Sequence, residues 1–148
     1  EDPPQPTITV FLYRVALHAP SRNAPRRVLP DGRILPQPMP VELSYLITPW
    51  ARETRAEHLL AGRILQVLHD HGEVGPADLI GSSWEPTDSV QVVFDSLPLD
   101  DHYRIWEANH EVSYRLSLGY TVRVVNVAAT RIYAEPPVVD ARFPITVS

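Results

Sequence analysis

Residues 7–17, TITVFLYRVAL, place Ile8, Val10 and Leu12 at alternate positions, with Phe11, Tyr13 and Val15 out of phase with them. A period of two with apolar side chains on both faces predicts a long strand near the centre of a sheet. Residues 18–40 then bring Pro20, Pro25, Pro30, Pro36, Pro38 and Pro40, with the turn dipeptide Asp31-Gly32 among them. Each proline removes a backbone donor and biases its predecessor toward extended geometry, which excludes a helix or an inner strand. The stretch predicts a loop, with a small hairpin in which 27–29 face 33–35 across Asp31-Gly32. A connection this long in a compact domain points to function or mobility.

In residues 41–48, Val41, Leu43, Tyr45 and Ile47 share one face, predicting a strand that Pro49 ends. Thr54-Arg55-Ala56-Glu57 has capping-box spacing and leads into Ala56, Leu59, Leu60, Ile64, Val67 and Leu68 at helical spacing. Gly72 sits where a C′ glycine belongs. This is an amphipathic helix of roughly four turns laid on a sheet. Residues 75–86 read as turns, with one helical turn over 77–80. A short strand follows over 90–95, and Pro98 opens a second helix over 99–108 with Tyr103 and Trp106 inward. Residues 113–127 alternate Tyr114, Leu116, Leu118, Tyr120, Val122 and Val124 with more polar positions, predicting a half-buried antiparallel strand in which Gly119 marks a bulge or bend. Residues 128–148 are apolar but broken by Pro136, Pro137 and Pro144, which suits an extended arm or an edge strand. The element order β–loop–β–α–β–α–β predicts an α+β fold. It is a two-layer domain spanning 1–148, with a mostly antiparallel sheet, two helices, a Pro-rich loop at 18–40 and an extended C-terminal arm at 128–148.

Composition narrows the chemistry. The 148 residues carry a net charge of −5, which argues against a nucleic-acid partner, and include no cysteine. The latter rules out disulfides, zinc-thiolate sites and a cysteine nucleophile. All basic residues are Arg. No apolar run approaches the ~18 residues of a membrane span, and no signal peptide is visible. His69-Asp70-His71 lacks further ligands, since His58 lies nearly three turns away, and reads as the favourable cationic end of a helix. Asp100-Asp101-His102 places carboxylates in a helix's first turn, where the dipole favours them. Ser82-Ser83 lacks a nucleophile-elbow frame, and the six glycines form no phosphate loop. Trp50, Trp84 and Trp106 suit core or interface packing before a sugar platform. Neither catalytic, metal nor cofactor residues are assigned. A metal-dependent enzyme resting on His58, His69 and His71, and a small carbohydrate- or peptide-binding module resting on the tryptophans, stay as alternatives.

One set of segments carries a resemblance: TVFLYRV (9–15), Arg22-Asn23-Ala24-Pro25, PVELSYLITP (40–49), AEHLLAGRILQVLHD (56–70), the 97–106 segment, VSYRLSL (112–118) and YTVRVV (120–125). Together they resemble the cap, or tail-terminator, proteins of phage-tail-like extracellular contractile injection systems, over residues 7–127. The resemblance implies a structural protein without catalytic residues: a homohexameric ring that ends the inner tube and anchors the sheath. Its partners would be further copies of itself and sheath and tube subunits, with no nucleic acid and no membrane required. It would assemble in the bacterial cytoplasm and then form part of the particle. The candidate partner-binding residues are Arg22, Arg26 and Arg27 in the loop, and Ile132, Tyr133, Val138, Val139 and Phe143 in the arm. The arm is expected to dock by strand addition on a neighbouring subunit or the sheath.

Overall fold

The structure, a computed structural model, describes residues 5–21, 27–32, 34–35, 37–108 and 113–128. In chain order the elements are β1 (Thr7–Leu17), β2 (Arg27–Val28), β3 (Ile34–Leu35), β4 (Met39–Trp50), α1 (Thr54–Asp70), β5 (Glu73–Val74), β6 (Val90–Phe94), α2 (Leu99–Glu107) and β7 (Leu118–Val127). Among the described residues, five strands form one antiparallel sheet in the order β1-β4-β7-β6-β5. The predicted hairpin exists as the pair β2–β3, with Arg27 opposite Leu35 and Val28 opposite Ile34. Its turn puts Gly32 at φ +79°, a conformation that glycine adopts without steric penalty.

The α+β class, the antiparallel sheet and the two helices are as the pattern predicts, but the expected two layers become three, helix, sheet and helix. Ile47 packs with Ala61 and Ile64 of α1 and with Leu118 and Tyr120 of β7. Its neighbour Leu46 packs with Trp50 and with Trp106 of α2. Successive strand residues face opposite ways, so the two helices lie on opposite faces of the sheet. β4 is therefore the inner strand buried on both faces.

β1 corrects the reading that put it near the sheet centre: it is an edge strand of the described sheet, paired with β4 alone. Two apolar faces are the signature of a strand covered on both sides, but they do not say what supplies the cover. Pro49 does not end β4, which runs on to Trp50. β7 pairs with β4 only as far as Ile47, so Pro49 has a ladder partner on the β1 side alone and behaves as at an edge.

Three local signals also resolve differently. The capping box does not form: the N-cap is Glu53, without a side-chain cap bond, and the Glu57 carboxylate bonds Arg115 instead. β7 begins at Leu118 rather than at Ser113, and 113–117 runs as non-repetitive chain. Gly119 is not at a bulge. The bulge lies at 123–124, where the register passes from Leu43 opposite Val122 to Val41 opposite Val125. Gly119 is instead a close approach, because a Cβ there would stand 2.6 Å from Asp95 O and 2.9 Å from Leu97 Cδ1. The Asp95 N–H donates to Gly119 O at 2.9 Å, which locks the backbone in place. Gly119→Ala is expected to cost about 1–3 kcal/mol, as overpacked cores do. A urea melt indistinguishable from the parent would contradict the close packing.

Candidate interaction surface

β1 is held from one side. The Trp50 indole N–H donates to Thr9 Oγ1 at 2.9 Å, and His18 Nδ1 lies 2.5 Å from Glu42 Oε1. A register shift between Leu12 and Arg14 inserts Tyr13 as a bulge, which turns its ring into the cluster of Leu46, Trp50 and Trp106. Burial pushes the Tyr13 phenol above its usual range, opposed by a hydrogen bond with Ser44. Among the described residues, the other side of β1 is open. Ile8, Val10, Leu12, Val15 and Leu17 share a face and are all exposed, Val10 at 61% and Val15 at 59%. Phe11, on the opposite face, is exposed as well.

Two open grooves also lie on the domain. One, of about 500 Å³, runs between β1 and α2 and is lined by Phe11, Tyr13, Arg104 and Ile105. The other, of about 630 Å³, lies between the end of α1 and β6 and is lined by Leu65, Leu68, Val92, Phe94 and Tyr120. Both are apolar and shallow. A contiguous exposed apolar area on a folded domain marks a contact surface for another chain.

A polar hub fixes the frame behind it. Arg115 Nη1 donates to Glu57 Oε1 at 2.7 Å, and the guanidinium sits 5.3 Å from the centroid of Trp50. Thr48 and Ser117 share a buried hydroxyl bond of 2.8 Å. The 113–117 segment is thus bound by its side chains to β4 and to the start of α1, which is why its alternation does not become a ladder. Tyr114 packs against Tyr103 at 4.9 Å and against Trp106 at 6.2 Å, centroid to centroid. Tyr103 is more exposed than the helix pattern predicts, and Ile105 joins Trp106 on the buried side instead.

The structure does not bring the histidines together. His58, His69 and His71 are exposed, and no group of metal-ligating side chains is present among the described residues. Trp50 and Trp106 are buried against each other, while the Trp84 indole N–H donates to Ile80 O. Arg22, Arg26, Ile132, Tyr133, Val138, Val139 and Phe143 lie outside the described residues, and of Arg27 only the backbone, in β2, is described. What the sequence reading missed is the open face of β1 and the Glu57–Arg115 pair. An acid and a base 58 positions apart carry no local signal.

His102 has one measurable consequence. Its Nε2 is buried without a hydrogen-bond partner among the described residues, and burial lowers the imidazole pKa below the usual value. The unfolded chain then holds this proton more tightly than the folded one. Its contribution to stability is complete above the unfolded value of ~6.5 and is lost as the pH falls below it. His102→Phe is expected to flatten stability against pH between about 7 and 5. An unchanged slope in denaturant titrations would show that the site does not bias protonation.

The family described as the Pvc16 N-terminal domain matches residues 1–141. The chain belongs to that family. Its fold is similar to a solved PVC sheath/tube terminator of an extracellular contractile injection system in the extended state. That match has a TM-score of 0.63 and 23% identity, over 95% of this chain and 50% of the other. It is also similar to the tube-terminating cap of the anti-feeding prophage, with a TM-score of 0.62 and 24% identity over 93% of this chain and 48% of the other. The chain therefore spans about half the length of the structures it matches. No match was found among curated proteins. Within this Pvc16-family domain, the face of β1 is an apolar feature left exposed among the described residues.

Proposed function

We propose that this Pvc16-family chain serves as a structural, non-enzymatic cap that terminates the tube and sheath of a contractile injection particle. The observation that carries the reading is the match of nearly the whole chain to two terminator caps. The exposed apolar surface supports it independently, because such a surface on a small domain calls for a protein neighbour.

In this reading the copies form a homohexameric ring. Head-to-tail contacts between unlike patches close into rings, which lets a terminator follow the rotational symmetry of a tube. The face of β1 supplies one patch. Arg22, Arg26 and Arg27 of the loop, with Ile132, Tyr133, Val138, Val139 and Phe143 of the arm, add contacts to neighbouring copies, sheath or tube. The whole of 1–148 acts as one domain, assembled in the bacterial cytoplasm before becoming part of the particle.

Light scattering on the purified protein tests the ring. The parent is expected to form a closed oligomer, alone or with tube or sheath subunits, and Val10→Asp with Val15→Asp to yield a folded monomer. A strict monomer of the parent under all these conditions would contradict the reading.

A further inference from the structure

β1 presents an 11-residue edge that no described strand pairs, and the chain holds 20 further residues after Ala128. Such an edge invites strand pairing unless something covers it. Three observations bear on what could cover it.

The first is where the chain leaves the sheet. Val127, at the end of β7, lies opposite Met39 at the start of β4, which is the end of the sheet where β1 finishes at Leu17 beside Val41. From there to the far side of β1 is three strand spacings, ~15 Å. The segment 129–138 can span that about twice over at ~3.3 Å per residue. A chain entering at Leu17 and running toward Thr7 is antiparallel to β1. The spatial order then becomes last strand, β1, β4, β7, which is the Greek-key arrangement of a returning strand beside the first.

The second is the pattern. Val139, Ala141, Phe143, Ile145 and Val147 alternate with Asp140, Arg142, Pro144 and Thr146. That is a one-faced strand of nine residues, against the eleven of β1, and Ile8, Val10, Leu12, Val15 and Leu17 of β1 likewise share one face. If the Tyr13 bulge counts as one position, as it does against β4, Leu17 meets Val139, Leu12 meets Phe143 and Ile8 meets Val147.

The third is a pair of prolines. Pro49 has no N–H to give β1, so Ile8 opposite it suits a non-hydrogen-bonded position, which turns the Ile8 backbone groups toward the open edge. Alternation turns those of Val10 and Leu12 the same way. In the incoming segment, Pro144 must point its missing donor away from β1, which turns Phe143 and Ile145 inward. Both prolines are compatible with this register.

We propose that residues 139–147 pair antiparallel with the outer edge of β1 in the same chain and form a sixth strand of the sheet. The pairing closes the edge and widens the apolar face of β1 with Val139, Phe143 and Val147, so a neighbouring chain is met by a sheet face rather than by an open edge. The inference stands apart from the cap reading and fails or holds without it.

The absence of native cysteine makes the test direct. Val10→Cys with Ile145→Cys places two thiols across a hydrogen-bonded pair, whose Cα separation of ~5.5 Å lies within disulfide range. Val10→Cys with Thr146→Cys aims them at opposite faces and serves as the control. Both full-length variants are oxidised at low and high protein concentration, then resolved on non-reducing gels with mass mapping of the linked peptides. The expected result is an intrachain link for the first pair, independent of concentration and several-fold above the control. A link between chains would overturn the proposal by assigning the arm to a second copy. Absence of any link, or equal linking in the control, would overturn it too. Reduced samples melting with the parent confirm that the variants fold.

Discussion

Arg115→Met is expected to destabilise the domain by about 2–4 kcal/mol, because it strands the Glu57 carboxylate in a nearly closed site. Glu57 is 8% exposed and faces the Arg115 guanidinium at 2.7 Å. The expected cost falls partly below the range of about 3–5 kcal/mol for broken buried pairs because the Arg115 side chain is itself 31% exposed. The guanidinium also lies over Trp50, so the substitution removes a cation–π contact as well. Adding Glu57→Gln to the variant should recover part of the loss, since no buried charge is then left alone. Urea unfolding of both reads the effect directly. A single variant within about 0.5 kcal/mol of the parent, as an ordinary surface change would be, contradicts the hub.

Trp50→Ala is expected to cost about 3–5 kcal/mol, in the range of large-to-small aromatic deletions in cores. Trp50 joins three parts of the fold: it packs on Trp106 of α2, lies under Arg115 and donates to Thr9 of β1. The cavity would open on the face that holds α2, and β1 would lose a tether. Amide exchange should therefore quicken in β1 and α2 before β6 and β7. Uniform quickening across the sheet would mean that Trp50 contributes bulk stability without organising the edge. Trp50→Phe, which keeps a ring but lacks the N–H, should separate the tether from the packing.

Periodicity found every long element because their patterns are local. Val41 to Ile47 alternate, and Ala56, Leu59, Leu60, Ile64, Val67 and Leu68 fall at helical spacing, so strand and helix follow from the spacing. The helix face that is buried, however, is that of Glu57, Ala61 and Ile64, and it leaves Leu59 and Val67 exposed. The position of a strand in the sheet is not local. β1 and β4 are both apolar on two faces, yet only β4 has a helix on each. Nothing within TITVFLYRVAL says which of the two lies inside. Pro49 misled for a related reason, because its cost depends on whether a second strand needs its N–H, and β7 stops two residues short. The capping box failed because Glu57 found a stronger partner across the fold.

The surface was legible in part. The need for a partner follows from the Pro-rich loop and the apolar arm, whereas residues 7–17, read as a central strand, prove exposed in the structure. The particular face was not legible, since the Tyr13 bulge changes which side chains after Leu12 join it, and no residue type announces a bulge there. The arm residues singled out from sequence lie outside the described part.

Negative-stain imaging of the full chain mixed with tube and sheath subunits of a contractile particle tests the central claim. The account predicts closed rings of the protein, seated at one end of the tubes and halting their growth. Tubes that lengthen unchanged, with the protein neither ring-shaped nor at their ends, would contradict it.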